Sequence, residues 1–278
     1  MKVFIMTDLE GVSGVNGGAD TVGNKIKNID ASCRLLTEEV NSSVEGLAAA
    51  GAKEIVVVDG HGGSNSILIE HLHPAAQLIT TASGGGLHMV GCGIDKSFDA
   101  AVQLGTHAMM GVTDGFLNHT FNSHAVVNMF LNGEAIGEIG VCSMMASYFS
   151  VPTILVSGDH AACREAKEFL GTIETVETKK SINRYSTINR NPETVRAELK
   201  AKSQAALKNL KKFKAKKLKG PFELKVELMC PNMADDAQKR GAERLNHNTV
   251  LYRSNDFIDL WAQRNGWAPG IHNKYFGI

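Results

Sequence analysis

The chain has 278 residues, 43% of them hydrophobic, enough to fill the core of one large domain or of a large and a small one. Its 29 basic and 29 acidic residues cancel, so no global field draws it to nucleic acid or to an anionic membrane, and a small partner is expected. Five scattered cysteines without a Cys-x-x-Cys pair argue against a disulfide framework and against a thiolate zinc site.

The N-terminal apolar run carries one lysine and is too short for a signal peptide, so it reads as a first strand over residues 3–7. No other apolar stretch approaches the roughly 20 residues of a membrane span, and a cytoplasmic location is expected. Leu35, Leu36, Val40, Val44, Leu47 and Ala48 fall at helical spacing, predicting a helix over residues 30–50 with Asp30 as N-cap and Gly51 as its stop. Ile55-Val56-Val57-Val58 follows as an unbroken β-branched run, the pattern of a strand buried on both faces, within residues 54–59. Further strands are expected at residues 76–80, 100–104 and 153–156, and helices at 136–149 and 161–170. Strands alternating with helices predict an α/β fold, a mostly parallel sheet flanked by helices.

From Pro192 the texture changes. A Lys- and Ala-rich helix is expected to about Lys217, where Gly220-Pro221 breaks it. A strand at residues 222–229, a helix at 234–242, a strand at 249–252 and a last helix at 256–265 complete the chain. The expected division is an α/β domain over residues 1–191 and a smaller α+β domain over 192–278. Lysines 208, 211, 212, 214, 216, 217 and 219 read as the solvated face of a helix whose apolar side is Leu207, Leu210, Phe213 and Leu218, not as a nucleic-acid surface.

In an open parallel sheet, ligands bind beyond the carboxyl ends of the strands. Three such ends carry ionisable residues: Asp8-Leu9-Glu10-Gly11, Asp59-Gly60-His61-Gly62-Gly63 and Gly105-Thr106-His107. Residues two apart in extended chain point the same way, so Asp8 pairs with Glu10, and Asp59 with His61. Each element alone is common in loops; their coincidence carries the inference. The flanking glycines permit the close backbone approach that a crowded ion site needs, and Gly60 to Gly63 lacks both nucleotide-binding spacings. Asn118-His119 and the stretch Asn132 to Glu138 lead into the Met-rich helix, where Glu134 and Glu138 would also suit the helix dipole.

These landmarks together resemble the zinc-dependent D-aminopeptidase family, the DppA-like metallopeptidases. The matching residues are Asp8-x-Glu10-Gly11, Asp59-x-His61, Leu104-Gly105-x-His107-Ala108, Asn118-His119 and Gly137-Glu138-x-Gly140, in the family's order and nearly its spacing. Ser157-Gly158-Asp159 continues the likeness, which covers about residues 1–190. The resemblance implies a hydrolase of short peptides with N-terminal D-amino acids. It implies that Asp8 bridges two zinc ions, that Glu10, His61, His107 and Glu138 complete their coordination, and that His119 is the catalytic nucleophile or base. It also implies a homo-oligomer, a decameric ring with active sites facing an inner channel, which residues 192–278 would help to build. The family has Ser where this chain has Met6, the stretch from His107 to His119 is one residue longer, and Met109 and Met110 differ.

Nitrogen and oxygen donors without thiolate suit two divalent ions sharing a carboxylate, zinc first, with manganese or iron also compatible. Such a pair would polarise a scissile carbonyl and activate water at neutral pH. Asp59 is expected to orient His61 or His107 through a ring N–H. His71, His73, His88, His124, His160, His247 and His272 are expected at the surface or in hydrogen bonds. Two other readings stay open: a related metal amidohydrolase or phosphoesterase acting on another small substrate, and a non-catalytic metal-binding oligomer.

Overall fold

A computed structural model describes residues 1–19, 24–26, 29–62, 65–80 and 91–266, so Gly63, His88 and His272 lie outside the described residues. The first half runs β1 (Lys2–Thr7), a short antiparallel pair β2 (Gly17–Ala19) and β3 (Asn24–Ile26), α1 (Ile29–Ala49), β4 (Glu54–Asp59), β5 (Ala76–Ile79) and β6 (Ala100–Thr106). Then come β7 (Val126–Leu131), β8 (Glu134–Ala135), α2 (Glu138–Tyr148), β9 (Thr153–Asp159), α3 (His160–Leu170), β10 (Glu174–Asn183) and β11 (Ser186–Asn189). The chain ends in α4 (Pro192–Lys208), β12 (Phe222–Leu228), α5 (Pro231–Lys239), β13 (Glu243–Arg244), β14 (Thr249–Ser254) and α6 (Phe257–Arg264).

The main sheet has seven strands in the order β11-β10-β9-β6-β1-β4-β5, parallel except for the β10–β11 pair at one edge. The chain leaves β1 for β4 and β5 on one side, then returns to β6 on the other. The order therefore reverses between β1 and β6, where ligands bind in open α/β sheets.

Alternation along β1 divides the core. Val3 and Ile5 pack with α1 (Leu36, Val40, Val44, Leu47) and α4 (Val195, Leu199, Ala206, Leu207). The two helices also meet through a buried contact of 2.8 Å between the Ser43 and Ser203 hydroxyls. Phe4 and Met6 belong to the opposite core, with Val141 and Met145 of α2 and the inner face of a second sheet. That sheet is antiparallel, with five strands in the order β13-β14-β12-β7-β8. It contributes Val126, Met129, Leu224, Val226, Val250 and Tyr252 to the same core, and α6 contributes Trp261.

The division expected at residue 192 does not follow this packing. β7 and β8, from before it, pair into a sheet with β12, from after it, while α4 turns its apolar stripe onto α1. The helix expected to reach Lys217 stops at Lys208, where Asn209 caps it and residues 210–212 form a 3-10 turn that brings Phe213 into the core. Asp30 lies inside the first turn of α1 instead of capping it, whereas Gly51 does follow the helix. β7, β8, β10 and β11 were not among the expected strands. No helix among the described residues is long and apolar enough to cross a membrane.

Candidate metal centre

The exits of β1 and β6 run in backbone contact. The Asp8 N–H donates to the Leu104 carbonyl at 2.8 Å, and the Gly11 N–H to the Gly105 carbonyl at 2.8 Å. Gly105 has a φ of +72°, and a Cβ there would stand 2.2 Å from the Asp8 carbonyl oxygen, so only glycine lets the two exits pass. Asp8 and Glu10 leave β1 at this crossing, and His107 follows β6 directly. His61 follows β4, Glu138 opens α2, and His119 lies in the loop between β6 and β7.

All six expected residues come together. His61 Nε2 is 3.5 Å from Glu10 Oε1; His107 Nε2 is 3.3 Å from Asp8 Oδ2 and 3.2 Å from Glu138 Oε1; His119 Nε2 is 3.9 Å from Glu138 Oε1. The His107 and His119 rings stack at 4.0 Å. The donors form two groups that could each hold an ion, Asp8 with Glu10 and His61, and His107 with His119 and Glu138. Asp8 belongs to the first and its Oδ2 lies 3.3 Å from His107 Nε2 of the second, so one carboxylate adjoins both groups.

Each imidazole is fixed by its other nitrogen. Nδ1 of His107 donates to the Ala108 carbonyl and Nδ1 of His119 to the Leu117 carbonyl, both at 2.9 Å, while Nδ1 of His61 meets the Ser66 hydroxyl at 2.9 Å. The carbonyl acceptors place a proton on Nδ1 of His107 and His119, which turns the Nε2 edge of each ring toward the carboxylates, the edge by which a histidine so held would bind a metal. Asp59 does not hold a ring directly as expected. Its carboxylate accepts the Ser66 and Ile67 N–H groups at 2.7 and 2.9 Å, and Ser66 in turn meets His61.

Electrostatics fit a cation. Three carboxylates lie together, and two buried atoms, Glu10 Oε2 and His107 Nε2, have no hydrogen-bond partner. Burial and then the charge of Glu10 push the Asp8 carboxyl well above the usual range. Burial would raise Glu10 too, but the charge and hydrogen bond of His61 outweigh it and hold Glu10 well below. Against burial, which lowers it, Glu10 carries His61 up to about 9. Burial lowers His119, reinforced by the charge of His107. Three carboxylates crowded among imidazoles thus favour a positive charge between them, and the oxygen and nitrogen donors suit zinc, manganese or iron.

Supporting residues escaped sequence reasoning. The Phe121 N–H donates to Glu138 Oε1 at 2.7 Å. Buried Lys179 donates to the carbonyls of Glu10 and Val15, both at 2.9 Å. Glu165 Oε2 accepts the Met109 N–H at 2.8 Å, bracing the segment after His107. Phe121 acts through its backbone, and Lys179 and Glu165 are single polar residues without a partner in sequence, so no spacing could reveal them. Glu134, considered beside Glu138, instead sits exposed in β8. His160 pairs with Asp114 at 2.9 Å, outside the cluster.

Residues 1–264 match the profile of peptidase family M55, described as D-aminopeptidase. A D-aminopeptidase of Bacillus subtilis (strain 168) is 30% identical over 265 residues, 94% of each chain. Among solved structures, the Zn-dependent D-aminopeptidase DppA from Bacillus subtilis, described as a self-compartmentalizing protease, matches with a TM-score of 0.87. Its sequence identity is 28% and the match covers 95% of each chain.

Proposed function

The chain belongs to the D-aminopeptidase family M55, and from that premise we propose that it is a binuclear zinc aminopeptidase removing N-terminal D-amino acids from short peptides. The observation that carries this reading is the pair of donor groups joined through Asp8, with Glu10 Oε2 and His107 Nε2 left open toward them. Asp8, Glu10 and His61 would hold one zinc; Asp8, His107 and Glu138 the other. When bound, zinc supplies Lewis acidity to the scissile carbonyl and to the attacking water.

The chain's own groups do the rest. Glu138 is held by the Phe121 N–H and so stays an acceptor facing His107. His119 donates from Nδ1 to the Leu117 carbonyl, and burial lowers its pKa and so favours the neutral ring, whose Nε2 would take the proton. Arg184 and Asn118 steady its loop. Asn118 Oδ1 accepts from Arg184 Nη1 at 2.8 Å.

Elemental analysis of chelator-free protein tests the reading. About two zinc per chain is expected, falling sharply in Asp8→Ala, whereas His119→Ala keeps its zinc and loses turnover by about 100-fold or more. A His119→Ala protein that drops to half the zinc would make His119 a ligand instead, and wild type that refuses zinc would sink the hydrolase reading.

The same reading includes a homo-oligomeric ring, a decamer in the first instance. Supporting it, the large apolar side chains of Ile182, Tyr185 and Ile188 are exposed along the β10–β11 hairpin at the edge of the main sheet. A monomeric mass by light scattering would refute it.

A further inference from the structure

The parallel register sets Met6 of β1 beside Gln103 of β6, and both line a recess against the metal cluster. The recess encloses room for about one water-sized group before it opens to solvent. Met6, Phe121 and Ile139 make it apolar, and Asp8 and Glu138 join it to the cluster.

Gln103 is the unusual member. It is 2% exposed, and its Nε2 donates to the Ile139 carbonyl at 3.3 Å and to the Ser143 hydroxyl at 2.8 Å. A carbonyl only accepts, so the nitrogen must face Ile139 and the amide cannot be turned over. Gln103 Oε1 is consequently left buried without a donor. Such an oxygen is unfavourable unless something else supplies the donor.

We propose that this recess receives the side chain of the substrate's N-terminal residue and that Gln103 is a specificity residue, its Oε1 accepting a hydrogen bond from a small donor-bearing side chain such as that of serine. The inference rests on the aminopeptidase reading. A recess this small has no room for large side chains, and the neighbouring Asp8 and Glu138 disfavour acidic ones. An alanyl methyl fits but leaves Oε1 unpaired, and sites built to bind a hydroxyl discriminate strongly against the analogue without it.

The test compares kcat/KM of zinc-loaded enzyme on seryl and alanyl dipeptides sharing their second residue, in both the D and L series, for wild type, Gln103→Leu and Gln103→Met. Wild type is expected to favour the seryl peptide by about tenfold or more, and the preference to vanish in the variants while alanyl turnover persists. Zinc content and near-ultraviolet circular dichroism establish that each variant is folded and loaded. A wild-type ratio near one, as when resident water already satisfies Oε1, or a ratio unchanged in the variants, overturns the inference and leaves the peptidase reading standing. If no aminoacyl peptide is cleaved, that reading fails first and the inference falls with it.

Discussion

Glu39 is a carboxylate placed where a carboxylate is costly. It is 1% exposed; Oε1 accepts the Ser13 N–H at 2.9 Å, and Oε2 has no partner. Burial pushes it from an ordinary 4.5 up to about 7, the Ser13 hydrogen bond and the charge of Lys179 offsetting only part. The folded state therefore holds this proton more tightly than the unfolded one. Its contribution to stability is full below about 4.5 and is lost as pH rises through about 7. Glu39→Gln keeps the acceptor for Ser13 and removes the charge. Denaturation at pH 5 and pH 8 should show wild type losing up to about 3 kcal/mol relative to the variant at the higher pH. Equal pH slopes would mean that Lys179 holds Glu39 as a buried ion pair. Asp8, Glu10, His61 and His107 were legible because acids and histidines sat just past apolar runs, where a parallel sheet opens; Glu138 and His119 took their roles only from the family resemblance. Lys179 and Gln103 were not legible, because one polar residue within a strand looks the same whether it meets water or a carbonyl group.

Elements bring these residues together only where their ends can touch, and the crossing of β1 and β6 is the tightest place. Gly105→Ala would carry a strained φ of +72° and a Cβ 2.2 Å from the Asp8 carbonyl oxygen, forcing Asp8 and His107 apart. Gly133 makes a fair control, since its φ is +87° but a Cβ there meets nothing within 4 Å. Urea denaturation should give about 1 kcal/mol for Gly133→Ala and about 3 kcal/mol or more for Gly105→Ala, with weakened zinc binding in the second only. Equal costs with zinc binding intact would show that the close passage is not what orders the site. Among elements, α1 and β4 could be read from their periodicity, since each is buried in the way its pattern states. β10 could not: its run Thr175-Val176-Glu177-Thr178-Lys179-Lys180 reads as polar, yet Thr178 and Lys179 are buried because they bind the loop carrying Glu10 and Gly11. The helix after Pro192 was read too long because Lys and Ala favour helix at every position, and only packing of Phe213 decides where it stops.

At the scale of the molecule, the second half of the chain is part of the first. Phe121, whose N–H holds Glu138, rests its ring 4.9 Å from Trp261 of α6, so the C-terminal helix supports the loop of the metal cluster. A chain ending at residue 191 would uncover Leu36, Val40, Val44 and Leu47 of α1 and leave β7 with only two-residue β8 as a partner. Each large apolar side chain so exposed forfeits about 1.5–3 kcal/mol, and a handful exceeds the roughly 5–15 kcal/mol that stabilises a domain. The truncated chain should therefore bind a hydrophobic dye, melt without a cooperative transition and retain no zinc. Cooperative unfolding of that fragment with zinc in place would restore a boundary at 192 and make the second sheet an accessory. The shared core argues otherwise: Phe4 and Met6 of the first strand pack in one cluster with Leu224, Val226 and Trp261, so the strand that delivers Asp8 is positioned by residues the fragment lacks.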